Sequence, residues 1–131
     1  MEILSSSAER TRQVAFEYAK TLKKGDVVLL SGDLGAGKTE FVKGVAEFFG
    51  LQGVTSPTYA YLNIYGDLLY HYDCYRLSSG EDAELLGLTD YFNGDNICLV
   101  EWAENIADAL PNEVKRVNIS KISETQRKIS L

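Results

Sequence analysis

The sequence predicts a three-layer α/β domain with a largely parallel central sheet. Two short apolar runs, Val27-Val28-Leu29-Leu30 and Ile97-Cys98-Leu99-Val100, have the composition of strands buried on both faces. A glycine-rich segment, Gly32 to Thr39, follows the first run at once, and an amphipathic stretch follows that segment. A chain of 131 residues can bury the core of one compact domain and is too short for two ordinary ones, so residues 1–131 are read as a single domain.

Each element has its own local signal. Ser6 followed by Glu9 has the form of a capping box, and Val14, Tyr18 and Leu22 recur at helical spacing, which predicts a helix over about 7–23, stopped by Gly25. The second helix runs from Lys38 to about Phe49 on the apolar face Phe41, Val42, Val45, Ala46 and Phe49, with Gly50 as its stop. Small polar residues and a proline make 54–58 a loop. Residues 59–65 and 68–73 read as two strands joined by Gly66-Asp67. A short helix over 81–88 precedes the second apolar run, which ends in the carboxylate of Glu101. A helix over 103–110 is stopped by Pro111, and 114–120 and 126–131 read as closing strands.

Composition narrows the function classes. With 45% hydrophobic and 24% charged residues the chain is that of a globular protein, with no apolar run long enough to span a membrane. Its first five residues have neither a basic region nor a sustained apolar stretch, so they do not read as a signal peptide and the expected location is the cytoplasm. Cys74 and Cys98 stand far apart without a ligand motif and are expected to be buried free thiols. A net charge of −6 with basic residues scattered along the chain, never more than two together as at Lys23 and Lys24, argues against autonomous binding to a phosphate backbone.

The segment Gly32-Asp33-Leu34-Gly35-Ala36-Gly37-Lys38-Thr39 carries the chemistry. Gly-x4-Gly-Lys-Thr between a strand and a helix lets successive backbone N–H groups turn toward phosphates, while the helix start adds positive potential. This is the phosphate-loop signature, and it makes the fold P-loop NTPase-like. Lys38 is placed to neutralise β- and γ-phosphates and the Thr39 hydroxyl to ligate Mg²⁺. The loop by itself leaves hydrolysis, phosphoryl transfer and nucleotide sensing open. No Asn-Lys-x-Asp motif for reading guanine is present. Only Arg76, Arg116 and Arg127 lie downstream, few for the lid and acceptor site of a small-molecule kinase.

Further candidates surround that motif. Glu101, at the end of an apolar strand, stands where a phosphate-loop protein places a Mg²⁺-linked carboxylate, the alternative being an ordinary strand-end glutamate. His71 and Asp73, two apart in a strand, share a face opposite Tyr70 and Tyr72. Asp73 is a candidate to orient or deprotonate water or to hold Mg²⁺ through water. His71 either positions Asp73 or a partner group or is a structural core histidine, the commoner case. Arg76 pairs with Asp73, with phosphate, or with a surface acid. Trp102 reads as a core residue, and Thr55-Ser56-Pro57-Thr58 as either a nucleotide-sensing segment or a passive connection.

Taken together, GDLGAGKT at 32–39, SPTY at 56–59, HYDCYRL at 71–77 and LVEWAE at 99–104 resemble the TsaE family, also called YjeE, with 87–92 (GLTDYF) similar to its counterpart. The motifs run in the family's order across nearly the whole chain, and HxDxYRL with VEW is far more specific than the phosphate loop. One departure is Ala103, where many relatives carry proline. The resemblance implies a bacterial Mg²⁺-dependent ATPase, weakly hydrolysing, needed for threonylcarbamoyladenosine in tRNA. It also implies that the transfer belongs to the partner TsaD, which is paired with TsaB, with tRNA met only through that complex. Carried over by residue, it assigns Lys38 and Thr39 to phosphate and Mg²⁺, together with Gly35, Ala36 and Gly37 of the loop. Asp73 becomes a functional aspartate, Glu101 a Mg²⁺-linked glutamate, Trp102 a functional tryptophan and Thr11 a neighbour of the nucleotide base. A small-molecule kinase is the alternative, and an assembly factor switched by ATP is a third class.

Overall fold

Glu2–Ser5 forms a strand, β1, that the sequence does not announce. It pairs antiparallel with β7 (Arg127–Ser130), Ile3 opposite Ile129 and Ser5 opposite Arg127. Four residues with one buried position give too short a pattern for a period of two to be recognised. The computed structural model describes residues 1–33, 35–54, 61–92 and 94–131. The expected polar loop Thr55-Ser56-Pro57-Thr58 and the first residues of the strand expected over 59–65 lie outside the described residues, as do Leu34 and Asn93.

The backbone falls into two compact units, Met1–Leu22 with Leu30–Ser56 and Arg116–Leu131, and Lys23–Leu29 with Pro57–Lys115. Strand β2 (Val27–Gly32) contributes to both, and its first four residues are all buried, as expected of an apolar run with no polar face.

In the first unit the strand order is β1-β7-β6-β2, with β6 (Lys115–Lys121) antiparallel to β7 and Lys121 opposite Arg127. Helix α1 (Ala8–Ala19) is capped by Ser7 rather than Ser6. The Ser7 side chain, in an extended backbone, accepts from the Arg10 N–H at 3.0 Å, which shifts the cap by one residue and leaves Arg10 where a capping box would need an acid. The helix ends at Ala19, four residues short of the expected boundary, because Thr21 and Leu22 bond to the carbonyls of Tyr18 and Ala19 in tighter turns. Helix α2 (Lys38–Phe48) closes near the expected stop, the Gly50 N–H bonding to Glu47 O at 3.0 Å.

Helices α1 and α2 pack through buried Thr11, Val14, Ala15 and Phe41, Val42, Val45, with Phe16 edge-on to Phe48 at 5.4 Å. Gly44 sets how near they come. A Cβ there would stand 2.3 Å from Arg12 O and 2.6 Å from Ala15 Cβ. The close approach keeps Thr11, on α1, beside the start of the helix that follows the glycine-rich loop.

In the second unit the order is β2-β5-β4-β3. Strands β3 (Leu62–Tyr65) and β4 (Leu69–Asp73) form the expected antiparallel hairpin. Gly66 and Asp67 both take positive φ, 60° and 55°, and Leu68 N–H closes the turn on Tyr65 O at 3.1 Å. Strand β5 (Ile97–Glu101) is buried throughout and runs parallel to β4. The α/β fold is therefore mixed: β4–β5 is parallel, whereas β3–β4, β6–β7 and β1–β7 are antiparallel. Short connections between β3 and β4 and between β6 and β7 permit only antiparallel pairing.

Helix α3 (Gly80–Leu85), capped by Ser79, is followed by a 3₁₀ turn over Leu88–Tyr91, splitting what reads in sequence as one helix over 81–88. The expected helix over 103–110 is instead a kinked pair of 3₁₀ turns over Ala103–Ala109, broken at Ile106 (φ −128°). It begins after a left-handed Trp102 and ends at an extended Leu110, the conformation that Pro111 imposes on its predecessor. These elements enclose a core of Val27, Leu29, Tyr72, Cys98, Val100 and Ile106 with their neighbours. Among the described residues no helix is long and apolar enough to cross a membrane.

The α1–α2 approach yields a stability test. Gly44→Ala gains about 1 kcal/mol in helix propensity. The added Cβ meets a backbone carbonyl that cannot rotate away, so the expected net loss is about 2 kcal/mol. Urea unfolding reads it, and an unchanged or raised midpoint would contradict the packing described.

Candidate functional site

The glycine-rich loop leaves β2 and turns into α2 without a capping side chain. Gly37, at the cap position, has φ 105° and Gly35 has φ 79°, conformations that side chains with a Cβ rarely adopt, and open space lies where each Cβ would be. The loop folds back on itself, Ala36 N–H bonding to Asp33 O at 2.9 Å and Phe41 N–H to Gly37 O at 3.0 Å. Ala36 is fully buried. Lys38 is only 8% exposed, its ammonium donating to Gly32 O at 2.8 Å, so the positive charge is held against the loop instead of extending into solvent. Thr39, next on α2, is half-buried.

Beside the loop lies a cleft of about 410 Å³ lined by Ser6, Ser7, Ala8, Thr11, Gly35, Gly37, Glu40, Glu124, Thr125 and Arg127. It is formed by the N-terminal turn of α1, the loop, and the β6–β7 turn. Thr11 is buried in its wall, its hydroxyl 2.7 Å from that of Ser5. Glu40 receives hydrogen bonds from Arg12 at 2.5 Å and Lys43 at 3.3 Å. Burial works to raise the Glu40 carboxyl, but Arg12 and Lys43 outweigh it and hold it below the usual carboxylate value. The stabilisation from this charge is present at neutral pH and is lost as acid titrates the carboxylate.

Arg127 is the contributor that sequence reasoning missed. Its Nε donates to Ala36 O at 3.0 Å and its Nη2 to Gly35 O at 3.1 Å, while Nη1 donates to the carbonyls of Ser123 at 2.8 Å and Gln126 at 3.1 Å. A lone arginine 88 positions after Thr39 carries no local sign of this, since the pairing depends on the β7 register.

In the second unit the ends of β4 and β5 bring the predicted carboxylates together. Asp73 and Glu101 are register partners, as are His71 and Leu99, so all four share one face. His71 is completely buried, and its Nε2–H donates to Glu101 Oε2, while among the described residues Nδ1 has no hydrogen-bond partner. Of the readings open for His71, contact is made with Glu101 rather than Asp73. Asp73 instead accepts the Tyr75 N–H at 3.0 Å, shaping the turn after β4, and Asn105 ties that turn down by donating to the Cys74 and Tyr75 carbonyls. Glu101 is 8% exposed. Trp102 follows it at φ 58°, a left-handed conformation unusual for a bulky residue, with its ring edge-on to Tyr75 at 5.0 Å. Arg76 is exposed, and among the described residues it forms no ion pair with Asp73.

An uncapped helix start, room at Gly35 and Gly37 and a buried ammonium fit a polyphosphate. Among the described residues no group of three or more His, Cys, Asp or Glu could hold a metal ion by itself. Mg²⁺ does not require such a group, since it keeps several waters and binds through one or two protein oxygens plus phosphate.

These features define an α/β protein whose strand–loop–helix unit carries a phosphate-loop motif. A family model described as "Threonylcarbamoyl adenosine biosynthesis protein TsaE" matches residues 5–129, and the chain belongs to that family. It is 44% identical over 126 residues to the tRNA threonylcarbamoyladenosine biosynthesis protein TsaE of Bacillus subtilis, covering 93% of this chain and 78% of that one. The protein of the same name from Treponema pallidum is 39% identical over 134 residues, with 100% and 99% covered. The crystal structure of Bacillus subtilis YdiB superimposes with a TM-score of 0.83 at 39% identity, covering 98% of this chain and 82% of that one. This is the family that the four sequence motifs resemble.

Cys74 and Cys98 are buried free thiols, as expected. Burial, with the negative charges of Asp73, Glu101 and Glu104, pushes Cys74 up to about 12. Burial pushes Cys98 up to about 11, although a hydrogen bond with Tyr72 works the other way. Since the thiolate is the reactive form and a free cysteine titrates near about 8.5, the folded protein at pH 8 should label with a disulfide reagent only after urea unfolds it. Rapid labelling of either thiol in the folded state would contradict this.

Proposed function

We propose that this chain binds ATP with Mg²⁺, hydrolyses it slowly by itself, and serves tRNA threonylcarbamoyladenosine biosynthesis as an accessory to TsaB and TsaD. The observation that carries the reading is a glycine-rich loop opening an uncapped helix, with a buried Lys38, in a chain of the TsaE family. We read residues 1–131 as one three-layer P-loop ATPase domain working in the cytoplasm, where tRNA is modified. The single family match over residues 5–129 supports that reading.

In this mechanism the backbone N–H groups of Gly35 and Gly37 and of the start of α2 receive the phosphates, with Ala36 between them, and Lys38 neutralises the β- and γ-oxygens. The cleft beside Thr11 takes the nucleoside, and its volume of about 410 Å³ is within the range of small-molecule sites. Thr39 and Glu101 are the residues that would hold Mg²⁺, which would offset charge on the phosphate oxygens. Glu101 is kept in place by the buried His71 N–H. Asp73 orients the attacking water or accepts its proton, and Trp102 positions the segment after Glu101.

A small-molecule kinase is a weaker reading. It would draw on the arginines after the loop, and Arg127 is already engaged by four backbone carbonyls. A net charge of −6 supports meeting tRNA through partners instead of directly.

Titration with ATP, with and without Mg²⁺, tests the site. Hydrogen bonds to charged groups are worth about 1.5–3 kcal/mol, so Lys38→Ala should weaken ATP binding by roughly 10–100-fold. Thr39→Ala should blunt the Mg²⁺ dependence. Glu101→Gln and Asp73→Asn should lower phosphate release by about 10–100-fold with a smaller change in ATP affinity. Wild-type affinity and turnover in all four variants would sink the assignment.

The partner role is tested separately by binding to purified TsaB–TsaD with an ATP analogue, with ADP and without nucleotide, alongside multiple-turnover tRNA modification. Affinity is expected to follow nucleotide state, and Lys38→Ala is expected to stop turnover. Binding indifferent to nucleotide together with full modification by Lys38→Ala would reject the coupling.

A further inference from the structure

We propose that Arg127 is a positioning residue for nucleotide binding: it fastens the glycine-rich loop to the β6–β7 turn that walls the cleft, so that cleft and phosphate cradle are set as one piece. The inference rests on the nucleotide reading above and concerns a residue outside the phosphate-loop motif.

A guanidinium carries five N–H donors in a rigid planar fork. Arg127 spends its donors evenly, two bonds on the loop carbonyls of Gly35 and Ala36 and two on the turn carbonyls of Ser123 and Gln126. The turn is itself firm. Ser123 Oγ accepts from the Thr125 and Gln126 N–H groups, and Ile122 N–H bonds to Gln126 O at 3.0 Å. Glu124 and Thr125, at its tip, line the same cleft as Thr11.

Peptide geometry turns this clamp into control over the loop. In a trans peptide the carbonyl and the following N–H point in opposite directions. Holding Ala36 O toward Arg127 therefore turns the Gly37 N–H to the opposite side. Holding Gly35 O does the same for the Ala36 N–H, which is found bonded to Asp33 O. Gly35 and Gly37 have the freedom to adopt other conformations, and the arginine removes it. Among the described residues no carboxylate forms an ion pair with Arg127, and nearby Glu124 pairs with Lys121 at 3.4 Å. Glu40 and Glu124 line the same cleft, so Arg127 acts through its hydrogen bonds and not through a net positive potential. A lysine offers a single donor centre and cannot bridge both segments.

The test compares ATP and ADP affinities of wild type, Arg127→Ala, Arg127→Lys, the loop variant Lys38→Ala and the control Lys128→Ala, with urea midpoints measured without nucleotide. Both Arg127 variants should lose affinity by about 10–100-fold, and Lys128→Ala should bind like wild type. Millimolar guanidinium should restore part of the affinity of Arg127→Ala and leave wild type unmoved. A residue that only supports the fold would shift the urea midpoint without such rescue, and that result would overturn the proposal. Unchanged affinity in both Arg127 variants, while Lys38→Ala loses it, would overturn the proposal and leave the nucleotide reading standing. Wild type that binds no nucleotide would remove both. Should the Arg127 variants not fold, the Arg127 Nε–H resonance of wild type decides: it should be protected from exchange and shift when ADP is added, and an unprotected or unmoved signal would refute the clamp.

Discussion

Backbone carbonyls of the glycine-rich loop point at a guanidinium and its amides are left to face the other way, and most of the first unit serves that arrangement. The loop can take this path because Gly35 and Gly37 accept positive φ. Glycine alone would leave many paths open, and the bonds from Arg127 and from Lys38 select one. Arg127 reaches the loop because β7 lies between β1 and β6 in a fixed register, so the antiparallel strands carry the loop's anchor. Gly44, by admitting α1 so near, brings Thr11 to the same place.

The second unit meets a different constraint, the burial of a charge. Glu101 closes a strand whose every residue is buried, and a carboxylate there requires a donor. His71 supplies it from the neighbouring parallel strand two residues before Asp73. Among the described residues the other ring nitrogen, Nδ1, has no hydrogen-bond partner, so the contact with Glu101 is the one polar bond found for this buried ring. Asp73, by contrast, is satisfied locally by the Tyr75 amide and sits in a less buried position.

Local chemistry was legible in the sequence and long-range pairing was not. Apolar runs gave β2 and β5 because a strand with no polar face is distinctive, and glycine spacing gave the loop because few residues tolerate its dihedrals. The shared face of His71 and Asp73 followed from a period of two. β1 was missed for want of length, and the helix expected at 103–110 became 3₁₀ turns because Trp102 and Pro111 constrain both of its ends. Nothing near Arg127 in sequence indicates that its guanidinium meets residues 35 and 36. The Ser6 cap was displaced to Ser7 because two adjacent serines offer the same hydroxyl, and only the extended backbone at Ser7 decides between them.

Trp102 has an optical consequence. It is the only tryptophan among 131 residues, it directly follows Glu101, and it lies half-buried with its ring edge-on to an exposed tyrosine. Emission excited at the red edge of the indole band, where tyrosine does not absorb, therefore arises at one known point of the chain. Its wavelength senses the polarity around the end of β5, and quenching by a dissolved iodide ion measures how openly that end is presented to solvent. The protein thus carries a built-in spectroscopic reporter one peptide bond from a carboxylate of its candidate site, with no dye or label required.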